Sequence, residues 1–447
     1  MIETFQIRNF RSIHDLTVDF RYGEGSAPRH YLEHDSWAFL QVGNGPKGRF
    51  VPVLAIYGAN ASGKSNIVNA FLNFQQVLSH GIGGRYFGNK LNAKYDYSSF
   101  TAVVSFSERR FRYKIAYDGE KIRFEKLIEL LRGKEVCVFS IGKENASLEN
   151  GSIKRVENAF DGLLREGYDV ARMEAALSVE CTNGGGLVVK PFLPCLVRAF
   201  PGLTDFCQNV LEEFTGRLQV SNRNEFFISQ GIDLLAQLNS PEARNVAMSK
   251  IAKLLKKFDF GVREMKMTRQ RVGKTGGAYL NAGLPPYRPA AIVQDTGDSW
   301  IVDEFKLLHE DVNGELKPLD FYTEESDGTK VIAALIGVCL WALETGRTLF
   351  VDELDRSLHP FILISLIKLF KSKRYNKTSA QLVFTAHDPT PLDDDLLRVS
   401  EVGIIDKTVA EGTSFRRLCD YKGTRNVSNF RKQYLSGVYS GIPFPYI

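Results

Sequence analysis

The sequence contains no C-x-x-C pair. Its six cysteines (Cys137, Cys181, Cys195, Cys207, Cys339 and Cys419) stand singly along 447 residues. Such scatter suggests neither a disulfide framework nor a zinc site, and points to reduced thiols in a cytoplasmic protein. Long apolar runs are missing as well: none approaches the ~18 residues that cross a bilayer. The opening MIETFQIRNFRSI alternates apolar and polar positions and lacks a signal peptide's apolar core. No membrane partner is expected. There is no internal repeat, no low-complexity tract and no sustained heptad array. One-sided charge is scarce too. Lys and Arg number 57 against 52 Asp and Glu, a net +5, which is compatible with a nucleic acid partner but argues weakly for one.

What is present is ordinary globular composition, 44% hydrophobic and 24% charged. A chain of 447 residues is too long for one core and suggests two or three compact units. IETFQIRNF reads as a strand by its period of two. Residues 100–131 read as a β-meander with Asp118-Gly119 as a hairpin turn. Residues 155–260 are mostly helical in pattern. SPEARNVAMSKIAKLLKKFDFG carries a capping Ser240, Pro241 at the first helical position and a stopping Gly261. Strand character returns at 289–323. DGTKVIAALIGVCLWALETG is an apolar helix, TLFVDE a buried strand, PFILISLIKLFKS a helix and AQLVFTAHD another buried strand. That alternation is the signature of a parallel α/β sheet.

Residues 58–65, GANASGKS, satisfy G-x-x-x-x-G-K-[ST] at every fixed position, with a strand before and a helix after. Backbone N–H groups must curl around phosphate oxygens, which favours residues without a crowding Cβ. Gly58, Asn60, Ser62, Gly63, Lys64, Ser65 and Asn66 are therefore the candidate nucleotide contacts. Lys64 would reach the β/γ-phosphates and Ser65 would coordinate Mg²⁺, with the helix N-terminus facing the phosphates. The bland alternative is a Gly-rich αβ turn.

TLFVDELDRSLHP (348–360) ends an apolar strand in Asp352-Glu353. Asp352 there can hold Mg²⁺ beside the loop, and Glu353 can polarise an attacking water. The alternative is a helix start with capping acids. LVFTAHD (382–388) delivers His387 at a strand tip, where it can hydrogen-bond a γ-phosphate; a lone histidine at a strand end is otherwise structural.

In this order the motifs resemble the ABC-type ATPase heads of the SMC/Rad50/RecF group. EESDGTK (324–330) occupies the place of the ABC signature, although only Ser326 and Gly328 map onto it. IRNFRSI (7–13) is similar to the group's N-terminal strand, and Ser357-Leu358-His359-Pro360 sits where the D-loop would be. More narrowly, YGANASGKSN, ESDGTK, VDELDRSLHP, FTAHD and YLSGVYSGIPF resemble the AAA15/OLD-like branch of bacterial ATPases. That branch includes RloA-like proteins and the ATPases of the Septu and PARIS anti-phage systems.

The resemblance implies a mixed α/β ABC-type head with an N-terminal lobe (1–135), a mostly helical insertion (136–285) and a C-terminal lobe (286–447). It also implies that Ser326 and Gly328 of one copy close over the γ-phosphate of ATP held by another. With one set of motifs per chain, a homodimer or higher symmetric oligomer is expected. The insertion is too short for a DNA-tethering arm, only 60 residues follow His387, and no H-N-H pattern is visible. A Toprim nuclease domain is therefore not expected. The implied partners are a separately encoded nuclease or toxin effector and a phage-encoded trigger; the alternative is a RecF-like repair ATPase acting on DNA. KLLKKF (253–258), KMTRQRVGK (266–274) and KLFKSKRYNK (368–377) could contact phosphates, or could be solvated helix ends.

Overall fold

The computed structural model describes all residues except 24–38, 42–47, 85, 91–95, 107, 143–162, 164–168, 184–186, 201–204, 217, 222–240, 259, 274–293, 296–298, 357, 394, 409, 422–428 and 443–447. The chain forms two compact units: Met1–Val220 with Gly346–Leu354 and Ile367–Ile447, and Ser221–Thr345 with Asp355–Leu366.

The first unit opens with the hairpin β1 (Ile2–Phe10) and β2 (Ile13–Asp19). The small pair β3 (Leu40–Gln41) and β4 (Arg49–Phe50) follows, then β5 (Val53–Gly58) and α1 (Lys64–His80). The expected meander is present as β6 (Ser98–Phe106), β7 (Arg109–Tyr117) and β8 (Ile122–Leu131), and a fourth strand, β9 (Lys134–Gly142), extends it. Asp118 makes the β7–β8 turn by accepting the N–H groups of Glu120 and Lys121 on its carboxylate. Helices α2 (Val170–Glu180), α3 (Phe192–Ala199) and α4 (Asp205–Thr215) and strand β10 (Leu218–Ser221) complete the N-terminal part.

In the second unit, α5 (Pro241–Lys257) packs on β11 (Val262–Gly273). Strand β11 pairs antiparallel with β13 (Ser299–Glu310), which also holds β12 (Gln294–Asp295) and β14 (Leu316–Asp320). The expected cap Ser240 lies outside the described residues; Gly261 has the left-handed φ of 68° that suits the turn after a helix. Helix α6 (Asp327–Thr345) is tied to α5 by Lys250 Nζ and Glu344 Oε1 at 2.6 Å. Contrary to the expectation from uninterrupted runs, α6 is long and apolar enough by composition to cross a membrane. Every residue from Ile332 to Leu343 is buried, the position of a core helix.

The chain then returns to the first unit's sheet through β15 (Thr348–Val351), α7 (Pro360–Lys371), β16 (Gln381–Thr385), β17 (Val402–Thr408) and β18 (Gly412–Arg417), and ends its described part with α8 (Phe430–Leu435). The sheet has twelve strands in the order β10-β15-β16-β5-β17-β18-β2-β1-β6-β7-β8-β9. β15, β16, β5 and β17 are mutually parallel, and every pair from β17–β18 to β8–β9 is antiparallel. The fold is thus mixed α/β around one large mixed sheet. β15, β16 and β5 are buried along their whole length, as parallel strands covered on both faces must be.

Aromatic packing fixes α1 on this sheet. Phe71 lies 3.9 Å from Phe5 of β1 and 4.1 Å from Phe350 of β15 between ring centroids, and Phe74 meets Phe214 of α4 at 5.1 Å. Each buried ring contributes about 1.5–3 kcal/mol, so the helix that follows the Gly-rich loop has little freedom to move.

One buried carboxylate shapes the first unit. Glu125 of β8 accepts the N–H groups of Phe192 (2.5 Å) and Leu193 (2.8 Å) and the hydroxyl of Tyr113 (2.9 Å), capping α3 from the core. Burial pushes its carboxyl up to about 7, against the pull of those hydrogen bonds. The native state then holds a proton that the unfolded chain has released between the ordinary carboxyl range and pH 7. Stability therefore falls as pH rises through that window, by at most about 1.4 kcal/mol per pH unit. Denaturant unfolding of the wild type and Glu125→Gln from pH 4.5 to 8 should show this slope in the wild type and its loss in the variant; parallel curves would remove Glu125 as the titrating group.

Candidate functional site

Strand β5 ends at Gly58, and α1 begins at Lys64 with Gly63 as its N-cap at φ 110°. Between them the chain curls, with Ala61 also left-handed at φ 60°. Asn60 is exposed, Ser62 and Lys64 are buried, and Ser65 and Asn66 are half-buried. The Lys64 ammonium donates to the carbonyls of Gly58 (2.7 Å) and Ala59 (3.0 Å), so the side chain runs back along the loop it belongs to. His387, two residues beyond β16, brings Nδ1 to 3.5 Å from Lys64 Nζ.

The glycines answer to the strands behind the loop. A Cβ on Gly58 would stand 2.6 Å from the Ile405 carbonyl of β17. One on Gly63 would stand 2.4 Å from Thr413 Oγ1 of β18. The Thr413 hydroxyl donates to the Ser62 carbonyl (2.9 Å) and lies 2.7 Å from Ser12 Oγ, which accepts from Asn66 Nδ2 (2.7 Å). The β17–β18 and β1–β2 hairpins thus buttress the loop through two hydroxyls that the motif does not contain.

The acidic pair is held by a third hydroxyl. Thr385, the last residue of β16, donates to Asp352 Oδ1 (2.6 Å) and accepts from the Glu353 N–H (2.7 Å), while its carbonyl accepts from Leu354 N–H (2.9 Å). Glu353 sits at φ 49°, a left-handed conformation rare for a residue with a side chain. Thr385 lies inside FTAHD, but nothing in the sequence assigns it this work; a hydroxyl closing an apolar strand was the available signal.

The structure brings Gly58–Asn66, Asp352, Glu353 and His387 together in the first unit. Ser326 and Gly328 belong to the second unit. There Ser326 Oγ accepts the Thr329 N–H (3.1 Å), capping α6, and Ser326, Asp327 and Gly328 are exposed. His309 Nε2 lies 2.6 Å from the buried Glu325 carboxylate and fixes the residue before Ser326. Of the candidate D-loop, Ser357 lies outside the described residues; His359 Nδ1 accepts the Phe361 N–H (3.3 Å).

Ser65 and Asp352 supply oxygen donors, which suit Mg²⁺. Thr385 occupies only one Asp352 oxygen, leaving the other for a cation. Among the described residues no group of three or more His, Cys, Asp or Glu could hold a metal alone. A cavity of about 670 Å³, lined by Arg11, Ser12 and Tyr86–Lys90 where described, adjoins the loop through Ser12 and Asn66. Of the basic clusters, Lys371 is not free to bind nucleic acid: it is buried against Glu401 Oε2 at 2.6 Å.

Residues 239–393 match the family described as an AAA domain, putative AbiEii toxin, Type IV TA system. The match takes in Ser326, Asp352, Glu353 and His387 but not the Gly58–Ser65 loop. No curated protein matches the chain. Among solved structures it is similar to the SMC head domain from Thermotoga maritima, at 11% identity and TM-score 0.38, over 93% of this chain and 98% of that one. It is also similar to the Smc head domain with an extended coiled coil bound to the C-terminal domain of ScpA from Pyrococcus furiosus, at 12% identity and TM-score 0.39, over 98% of each. A third is the Smc head with a coiled coil and joint from Pyrococcus yayanosii, at 12% identity and TM-score 0.39, over 93% and 96%. The AAA-domain match and the strand–loop–helix geometry support an ABC-type, nucleotide-binding ATPase.

Gly63→Ala should destabilise the protein by about 1–3 kcal/mol from backbone strain, with a further loss from the collision with Thr413. Gly84 is left-handed too, at φ 75°, but open space surrounds it, so Gly84→Ala should show the backbone part alone. Equal losses in thermal melts of the two variants would contradict the buttress.

Proposed function

We propose that this chain binds ATP with Mg²⁺ at Gly58–Asn66 and hydrolyses it to ADP and phosphate. The observation that carries the reading is the convergence at one end of adjacent parallel strands: Lys64 beside His387, and Asp352 and Glu353 on one threonine hydroxyl. Lys64 leaves its loop carbonyls for the β/γ-phosphates, Ser65 and Asp352 hold Mg²⁺, and the Arg11–Lys90 cavity takes the nucleoside end. Mg²⁺, when bound, neutralises phosphate charge. Glu353 accepts the proton of the attacking water, and His387 hydrogen-bonds the γ-phosphate.

Ser326 and Gly328 of a second copy complete the site, so ATP drives self-association. Their exposure at the start of α6 supports this reading. The biological role we assign is the sensor or regulatory subunit of a bacterial anti-phage system controlling a separate nuclease or toxin. It rests on the motif resemblance and on the toxin–antitoxin description of the matched family.

Glu353→Gln should retain ATP, lower turnover at least about 100-fold and raise the mass seen by light scattering with ATP; unchanged turnover would remove Glu353 as the base. Thr385→Val should lower turnover about 5- to 150-fold, the equivalent of about 1–3 kcal/mol for a buried donor lost, with a small change in melting temperature. Turnover that depends on added DNA, without a co-purifying effector, would favour a repair ATPase instead.

A further inference from the structure

The C-terminal segment YLSGVYSGIPF belongs to no nucleotide motif, and sequence alone left open whether it docks on its own sheet or on a partner. Its described part docks on its own sheet, beneath the loop. Asn429 caps α8 by accepting the Lys432 N–H on Oδ1 (3.0 Å). The Tyr434 ring meets the buried Tyr57 edge-on, with centroids 5.8 Å apart. Its hydroxyl donates to the Gly441 carbonyl (3.1 Å). Gly441 is left-handed at φ 69°, and a Cβ there would lie 2.7 Å from Ile404 Cγ2, 3.1 Å from the Ile405 carbonyl and 3.5 Å from Gly58 Cα. Two glycines, one from the tail and one from the loop, are packed close together, and the tyrosine hydroxyl holds the tail one by its carbonyl.

We infer that Tyr434 is a positioning residue for the phosphate loop, and that the strap Phe430–Gly441 is part of the nucleotide site. The inference rests on the ATP reading above. Gly58 is where β5 leaves the ladder, and a glycine has the largest range of backbone conformations to lose. Tyr434 holds Gly441 by its carbonyl and packs on Tyr57, so the strap closes over Gly58 and restricts its movement. Burial pushes the Tyr434 hydroxyl up to about 12, so the phenol stays neutral and able to donate.

A tyrosine that only seats the tail would affect stability alone; one that positions Gly58 affects nucleotide affinity. Tyr434→Phe keeps the ring against Tyr57 and removes the hydrogen bond that holds Gly441 over Gly58. Tyr439→Phe is the control, because that hydroxyl bonds Gln433 within the strap and does not touch the loop. Titration of the full-length protein with a fluorescent ATP analogue should show about fivefold or weaker binding for Tyr434→Phe and unchanged binding for Tyr439→Phe. KM for ATP should rise with kcat within about twofold, and hydrogen exchange over residues 53–64 should quicken in Tyr434→Phe only. Gly441→Ala, which crowds the strap while keeping the hydroxyl, should weaken binding as well and serves if Tyr434→Phe does not fold. If the wild type binds the analogue and Tyr434→Phe binds it equally, with unchanged exchange, the strap inference is overturned and the ATP reading stands. If the wild type does not bind it, both fall.

Discussion

Parallel pairing of β5 between β16 and β17 is the constraint on which the site depends. Thr385 pairs with Ile56, Ile405 with Gly58, and Val351 of β15 with Phe384. With strands about 4.8 Å apart, this register puts the ends of β15, β16 and β5 level, so Asp352, Thr385 and the start of the loop meet at the carboxyl edge of the sheet. Open parallel sheets place ligand sites at that edge. A slip of one residue in β16 would turn Thr385 to the other face and leave the acids without their common partner.

The loop is held from several sides by groups its motif does not specify. Thr413 and Ser12 grip its far end, Ile405 presses on Gly58, and Gly441 of the tail, held by Tyr434, packs on it as well. Lys64 binds two loop carbonyls within the same curl. A loop already fixed in its binding shape loses less entropy when a ligand arrives, which is how preorganisation becomes affinity. Strand packing alone requires glycine at 58 and 63, and the proposed nucleotide site would add phosphate access as a second reason.

Local signals made the frame legible. The period of two in IETFQIRNF, the loop flanked by strand and helix, and the helix–strand alternation of the C-terminal part each encode structure within some twenty residues, and the mixed sheet follows from them. Gly58–Asn66, Asp352, Glu353 and His387 stand out as candidates because their spacing is itself the signal. What stayed hidden are contacts between distant segments: Thr413 reaches Ser62 across 351 positions and Thr385 reaches Asp352 across 33. A single threonine or tyrosine has no period, so only the folded sheet shows what it touches. The buried Glu125 is the same case, an acid in a strand whose partners are the amides of a helix 67 residues on.

Glu353 shows which effect wins where local preference and tertiary contact disagree. A left-handed residue with a side chain is disfavoured by about 1–2 kcal/mol, a cost Gly escapes by lacking a Cβ and Asn offsets by bonding locally. Against this stand the amides of Glu353 and Leu354 bonded to Thr385, and the Asp352 carboxylate on the same hydroxyl. At about 0.5–1.5 kcal/mol net for each hydrogen bond, three of them offset the strain with a small surplus. The conformation that aims the candidate base is therefore set by the neighbouring strand and not by Glu353 itself.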